Sequence, residues 1–205
     1  MNILVVAATI QEIEISIPYL AHKKIPYLIT GVGMVAATYA LAKALQTAKV
    51  DLIIQVGIGG ILHQSAPLGS IYRIVEDHIF ELGAEDHEAF IPIEKLGFGQ
   101  SLFREQFVLS DWPIKHIPQA IGITVNKVHG QEKSISRLRT LYSGEVVESM
   151  EGVSAFFVAS QEKINVLQFR AISNYIEPRN RAAWQIGLAV KNLNEFLQEL
   201  LQSLS

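Results

Sequence analysis

Cysteine is absent from the 205 residues, which excludes disulfides, thiolate metal sites and a cysteine nucleophile, and agrees with a reducing compartment such as the cytoplasm. Basic charge is sparse. The 17 Lys and Arg are spread along the chain against 20 Asp and Glu, leaving a net charge of -3 and no field to attract nucleic acid or anionic lipid. The first apolar run, Ile3 to Ala8, has no basic segment ahead of it and meets Glu12 and Glu14 soon afterwards, so it reads as a buried strand and not as a signal peptide or membrane span. Internal repeats and linkers rich in Pro, Gly and Ser are also missing, so one domain over residues 1–205 is expected. These absences leave a small molecule as the expected partner, with no nucleic acid and no membrane.

What is present is an alternation of short β-branched runs with helical patterns. Ile3–Val6, Tyr27–Thr30, Leu52–Val56, Ile71–Val75, Ile121–Val125 and Val166–Ile172 read as strands, several of them apolar on both faces. Met34–Leu45, Glu151–Ser160 and Arg179–Leu204 read as helices, the last with Trp184, Leu188, Phe196, Leu197, Leu200, Leu201 and Leu204 near helical spacing. The pattern predicts an α/β layered sandwich with a central mixed, mostly parallel, twisted sheet flanked by helices. Between Asp77 and Lys115, Gly83, Pro92, Gly97, Gly99 and Pro113 interrupt any long element, which predicts a loop-rich insertion near the ligand crevice.

Three chain segments place polar groups at strand ends, where ligands of open α/β sheets bind. They are Glu12 after the first strand, Glu151 in Val147-Glu-Ser-Met-Glu-Gly152, and Asn174 closing Arg170-Ala-Ile-Ser-Asn174. A carboxylate at a helix start is favoured by the helix dipole alone, but three such ends beside an apolar crevice need pairing or a chemical purpose. Gly57-Ile58-Gly59-Gly60 follows a strand and lets backbone N–H groups approach a ligand. It lacks the Lys-Ser/Thr ending of a phosphate-binding P-loop.

Other motifs point away from familiar chemistries. Gly31-Val-Gly33-Met-Val-Ala36 has Asp51 twenty residues on, as a dinucleotide fingerprint would, but Asp51 opens a strand where the fingerprint acid closes one. Asp77-His78 and Glu85-Asp-His-Glu88 lack a strong metal-ligand spacing and read as a solvated acidic loop. Ser149 and Ser173 have no nucleophile elbow around them. No metal and no organic cofactor is expected.

Together, Ala7-Ala-Thr-Ile-Gln-Glu12, Thr30-Gly-Val-Gly-Met-Val-Ala-Ala37, Val56-Gly-Ile-Gly-Gly-Ile-Leu62, Ser149-Met-Glu-Gly152 and Arg170-Ala-Ile-Ser-Asn174 resemble, in order and spacing, the nucleoside phosphorylase/nucleosidase superfamily. Within it, Glu81-Leu-Gly-Ala-Glu85, Gly122-Ile-Thr-Val125 and Ser173-Asn-Tyr-Ile-Glu-Pro-Arg-Asn180 look most like the futalosine hydrolases of menaquinone biosynthesis, with methylthioadenosine/S-adenosylhomocysteine nucleosidases as relatives. The resemblance implies a purine nucleoside phosphorylase-like fold and a homodimer or higher homo-oligomer, for which the apolar, Ala-rich helix Met34–Leu45 is a candidate contact. It also implies that Glu12 activates water, and that Met150 and Glu151 hold the ribose. Gly57, Ile58, Gly59 and Arg170 would contact or orient the substrate, and Asn126, Lys127 and Val128 would form part of the base pocket.

The chain departs from the methylthioadenosine nucleosidase pattern at Asn174, where that group has an Asp expected to protonate the purine. An amide is no proton donor at neutral pH, but its NH2 suits the N7 and O6 acceptors of a 6-oxopurine, which predicts hypoxanthine over adenine nucleosides. Methylthioadenosine, aminodeoxyfutalosine or inosine cleavage, and nucleoside binding without turnover, stand as alternatives. The phosphorylases' basic residue after the first strand has no counterpart in Thr9–Glu12, and Arg73 lies inside a strand, so water is the expected acceptor. The carboxylated aromatic tail of futalosine calls for an apolar slot and a cation, for which Arg179, Arg181 and Lys127 are candidates.

Overall fold

Runs of Val, Ile and Leu buried on both faces form the middle of one large sheet. The computed structural model describes residues 1–106 and 116–204. From the N-terminus, β1 (Ile3–Ala7) leads through the short helices α1 (Ile10–Ile13) and α2 (Ile17–Lys23) to β2 (Tyr27–Ile29), α3 (Met34–Leu45), β3 (Leu52–Ile61) and β4 (Ile71–Ile79). The strands β5 (Gly83–Asp86) and β6 (Ala89–Pro92) form a hairpin, followed by α4 (Ile93–Leu96) and β7 (Leu102–Arg104). Then come β8 (Gln119–Thr124), α5 (Glu132–Leu141), β9 (Val146–Ser149), α6 (Gly152–Glu162), β10 (Asn165–Tyr175) and α7 (Ile186–Ser203).

The sheet is mixed and mostly parallel, as expected, but it is not the open layer of a sandwich. One edge of β3 pairs in parallel with β10 along its whole length, from Leu52 opposite Asn165 to Ile61 opposite Tyr175. Its other edge takes β1 near the start and β9, antiparallel, at Gly60 and Ile61. Because β10 also pairs with β4, β4 with β8, and β8 with β9, these strands close into a ring, and β1 and β2 extend from it. The sequence shows the short β9 that completes the ring only as the strand end ahead of Glu151.

Alternation along the strands sorts the core. Val5, Ala7, Ile54, Val56, Leu167, Phe169 and Ala171 pack with Leu193, Leu197, Leu200 and Leu201 of α7. Leu4, Val6, Ile53, Ile74, Val166 and Ile172 face the other way, toward Leu41 of α3 and Val153, Phe156 and Ala159 of α6. Helix α7 starts at Ile186, later than the apolar spacing suggested, after a 3-10 turn at Arg181–Ala183. On α3, Val35 and Tyr39 remain exposed, as does Val32 just before it.

The stretch expected to be loop-rich carries β5, β6, α4 and β7, and residues 107–115 of it, including Pro113, lie outside the described residues. None of its described residues lines the main cavity, contrary to the expectation that it borders the crevice. Glu85 to Glu88 are exposed, as a solvated acidic turn should be. Asp77 is the correction: it is fully buried within β4, beneath the first turn of α6. Arg73 is held by Glu105 through Nε (3.0 Å to Oε1) and Nη2 (2.6 Å to Oε2), the structural pairing that its place in a strand suggested.

Asp77 accepts hydrogen bonds from Thr124 Oγ1 at 2.8 Å and Gln168 Nε2 at 3.1 Å. Burial pushes its carboxyl up to about 6, against the downward pull of those two donors and of the charges on Arg170 and His78. The folded protein thus holds this proton more tightly than the unfolded chain, so the ionised carboxylate costs stability, and that cost grows as pH rises from about 4 to about 6. Relative to wild type, an Asp77→Asn variant should gain on the order of 2–3 kcal/mol in unfolding free energy between pH 4 and pH 7. Denaturant unfolding of both proteins at the two pH values measures this, and a pH-independent difference would contradict it.

Candidate active site

At the carboxyl ends of β1, β3 and β10 the ring opens into a cavity of about 400 Å³, within the range of small-molecule sites. Glu12, Glu151, Asn174, Ile58, Gly59, Val128 and Met150 line it, so chain segments from five parts of the sequence meet there. Gly57 and Arg170 lie behind the lining and Asn126 and Lys127 are exposed outside it. The base-pocket expectation for Asn126 and Lys127 is therefore not matched by their position. Their neighbours Val128 and His129 take that wall instead.

Glu12 sits in α1 and is 7% exposed. Its Oε2 accepts from the backbone N–H and the hydroxyl of Thr9 at 3.0 and 3.1 Å, and its Oε1 accepts from the N–H of Ile58 at 3.0 Å. These bonds fix the carboxylate's direction, and Oε1, with one donor, keeps a lone pair for a ligand or water. Gly57 is required here by space: a Cβ would stand 2.4 Å from Arg170 Nη1 and 2.8 Å from Glu12 Oε1. The guanidinium and the carboxylate thus converge on one bare α-carbon. Arg170 is 2% exposed, its Nε donates to Gln168 Oε1 at 3.0 Å, and its buried Nη2 has no partner among the described residues.

Glu151 precedes α6, and its side chain does not cap that helix. Its Oε1 accepts from the N–H of Gly33, at the start of α3, at 2.8 Å, and its backbone oxygen accepts from Gln55 Nε2 at 3.1 Å. Its Oε2 carries no hydrogen bond among the described residues, which leaves an acceptor in the cavity for a sugar hydroxyl. Asn174 follows a register shift in β10, where Ile172 pairs with Gly59 and Asn174 with Gly60. The bulge at Ser173 breaks strict alternation, so both Ser173 and Asn174 reach the cavity. The Asn174 Oδ1 accepts from Ser173 Oγ at 2.8 Å and its Nδ2 donates to the Tyr175 carbonyl at 2.9 Å. That pairing sets which end of the amide is which and leaves one N–H for a ligand.

Sequence reasoning missed one polar pair in the cavity. His129 and Glu148 form a pair on its wall, with the His129 N–H 3.1 Å from Glu148 Oε1 and Nδ1 in contact with Oε2. With Nδ1 turned to the carboxylate, Nε2 is the free ring nitrogen. Glu148 was visible beside Ser149, but nothing in the local pattern joined it to His129. Tyr175, Arg179, Trp184, Ile186 and Val190 also line the cavity, Arg179 being one of the cations the sequence offers for a carboxylated tail. The Arg179 and Arg181 guanidinium groups stand 5.3 and 5.9 Å from the Trp184 ring centre. Neither has an acidic partner among the described residues.

This site belongs to a widely shared framework. A family model described as the phosphorylase superfamily matches residues 5–204. A futalosine hydrolase of Streptomyces coelicolor is 33% identical over 91% of this chain and 84% of its own. Among solved structures, a methylthioadenosine/S-adenosylhomocysteine nucleosidase of Colwellia psychrerythraea in complex with adenine superposes with a TM-score of 0.78 at 18% identity, covering 100% of this chain and 96% of that one. Futalosine hydrolase of Helicobacter pylori does so with a TM-score of 0.75 at 12% identity, covering 98% and 97%. The last two show a common fold, and the first two findings show descent: the chain belongs to the phosphorylase superfamily, in the group that contains the futalosine hydrolases.

Proposed function

We propose that this protein is an N-glycosyl hydrolase that cleaves the N-ribosidic bond of futalosine and releases hypoxanthine. The observation that carries the mechanism is the convergence of Glu12, Glu151 and Asn174 on one cavity, and the futalosine hydrolase relative supports the substrate. Glu12 Oε1 takes a proton from a water molecule whose oxygen bonds to C1′. The C1′–N9 electron pair leaves with the purine, and the oxocarbenium-like sugar between them is stabilised by the two carboxylates. Glu151 Oε2 accepts a ribose hydroxyl. The free N–H of Asn174 faces the N7 and O6 side of the base, and solvent supplies the proton that neutralises the departing purine.

Cation placement favours water over phosphate as the acceptor. Arg73 is engaged by Glu105, and Arg179 is the one Lys or Arg in the cavity lining among the described residues. Together with Trp184, Ile186 and Val190, Arg179 offers the apolar slot and cation that a carboxylated aromatic tail needs. The exposed row Val32, Val35 and Tyr39 supports a homo-oligomer assembled through the α3 face.

Product analysis with futalosine, its 6-amino analogue, inosine and methylthioadenosine, with and without phosphate, tests this reading. Hypoxanthine should appear mainly from futalosine and at the same rate without phosphate. Adenine as the main product, or a requirement for phosphate, would overturn it. Asn174→Asp should narrow the preference for futalosine over its 6-amino analogue by about tenfold in relative kcat/KM, and an unchanged ratio would remove Asn174 from base recognition. Arg179→Ala should raise KM for futalosine about tenfold while leaving inosine unaffected; equal effects on both would exclude tail recognition by Arg179.

A further inference from the structure

Asp77 lines no part of the cavity, yet each of its contacts leads to it. Toward β10, its Oδ2 accepts from Gln168 Nε2, which also donates to the Gly152 carbonyl at 3.2 Å. With its NH2 committed to these two acceptors, Gln168 must turn Oε1 to Arg170 Nε, and Arg170 Nη1 then rests against Gly57 beside Glu12. Toward β8, Asp77 Oδ1 accepts the Thr124 hydroxyl, whose oxygen accepts the N–H of Val153 at 2.8 Å. Val153 lies in the first turn of α6, two residues beyond Glu151.

The backbone is cut to fit this carboxylate. A Cβ on Gly152 would stand 2.1 Å from Asp77 Oδ2 and one on Gly122 2.4 Å from it, so an alanine at either position would displace the acid. Glycine next to Glu151 therefore reflects a fixed occupant of the space under α6 and not a turn, since Gly152 begins the helix itself. Burial disfavours an ionised carboxyl there, and the Thr124 and Gln168 donors favour it.

We propose that Asp77 is a positioning residue for the reaction: through Gln168 it sets Arg170 in the space over Gly57 that Glu12 also borders, and through Thr124 it pins the helix turn that carries Glu151. One carboxylate outside the cavity braces Glu12 and Glu151 inside it. This rests on the nucleosidase reading above, because the braced groups matter only if Glu12 and Glu151 act on a substrate.

The test is a double-mutant cycle on the nucleoside that the wild-type protein cleaves fastest, with Asp77→Asn, Gln168→Met and the two combined, each checked for folding by circular dichroism and thermal unfolding. Each single variant should lower kcat at least about tenfold with KM within about threefold, and the pair should be within about twofold of the worse single. A folded Asp77→Asn protein with wild-type kcat, or effects that multiply, would overturn the proposal. Should Asp77→Asn fail to fold, Gln168→Met and Thr124→Val report the two arms separately. Loss of kcat in both sustains the proposal, and wild-type kcat in either overturns it. Wild-type turnover is the control that separates the readings: none on any nucleoside would remove the nucleosidase reading and this inference together, whereas normal turnover with unaffected variants removes the inference alone.

Discussion

The parallel pairing of β3 with β10 is the constraint on which the site depends. It closes the sheet into a ring, and its register sets Arg170 opposite Gly57 and Asn174 opposite Gly60. The same pairing aims the Ile58 N–H at Glu12, so a carboxylate from the first strand-helix junction is held by a strand some fifty residues on. Without closure these groups would stand at the ends of separate strands. With it they share a cavity whose shape is set by hydrogen-bonded backbone.

Burial then decides what each charge can do. Glu12 and Glu151 are nearly enclosed, but each keeps an acceptor turned inward, whereas Arg170 and Asp77 are enclosed with no face on the cavity. A buried cation and three buried carboxylates in one region limit the cost of desolvating each other only if their geometry is fixed. The amide of Gln168 supplies that fixity by donating toward Asp77 and accepting from Arg170. Interior glutamine and glycine thus serve the site as much as the residues that line it.

Strand ends and the residues on them were legible because local pattern places them: β-branched runs set β1, β3, β4 and β10, and Glu12, Glu151 and Asn174 follow from where three elements begin or end. Ring closure was not legible, since β9 is four residues long and its partners lie far away in sequence. Asp77 looked like part of a solvated loop because its neighbours His78 and Glu76 are polar, and only the packing of α6 and β10 over it makes it interior. His129 failed to register for the same reason, as its partner Glu148 arrives from another strand. Asn126 and Lys127 were expected in the base pocket from the family resemblance, and the turn after β8 carries them outward before Val128 reaches the wall.

The account stands on Glu12 as the group that activates water, and single-turnover hydrolysis by Glu12→Gln tests it most directly. The glutamine keeps an acceptor for the Ile58 or Thr9 donors but cannot take a proton. The account predicts a loss of two to four orders of magnitude in the rate of bond cleavage, on the order expected for a general base, with substrate still bound. Cleavage at the wild-type rate by a correctly folded variant would contradict it.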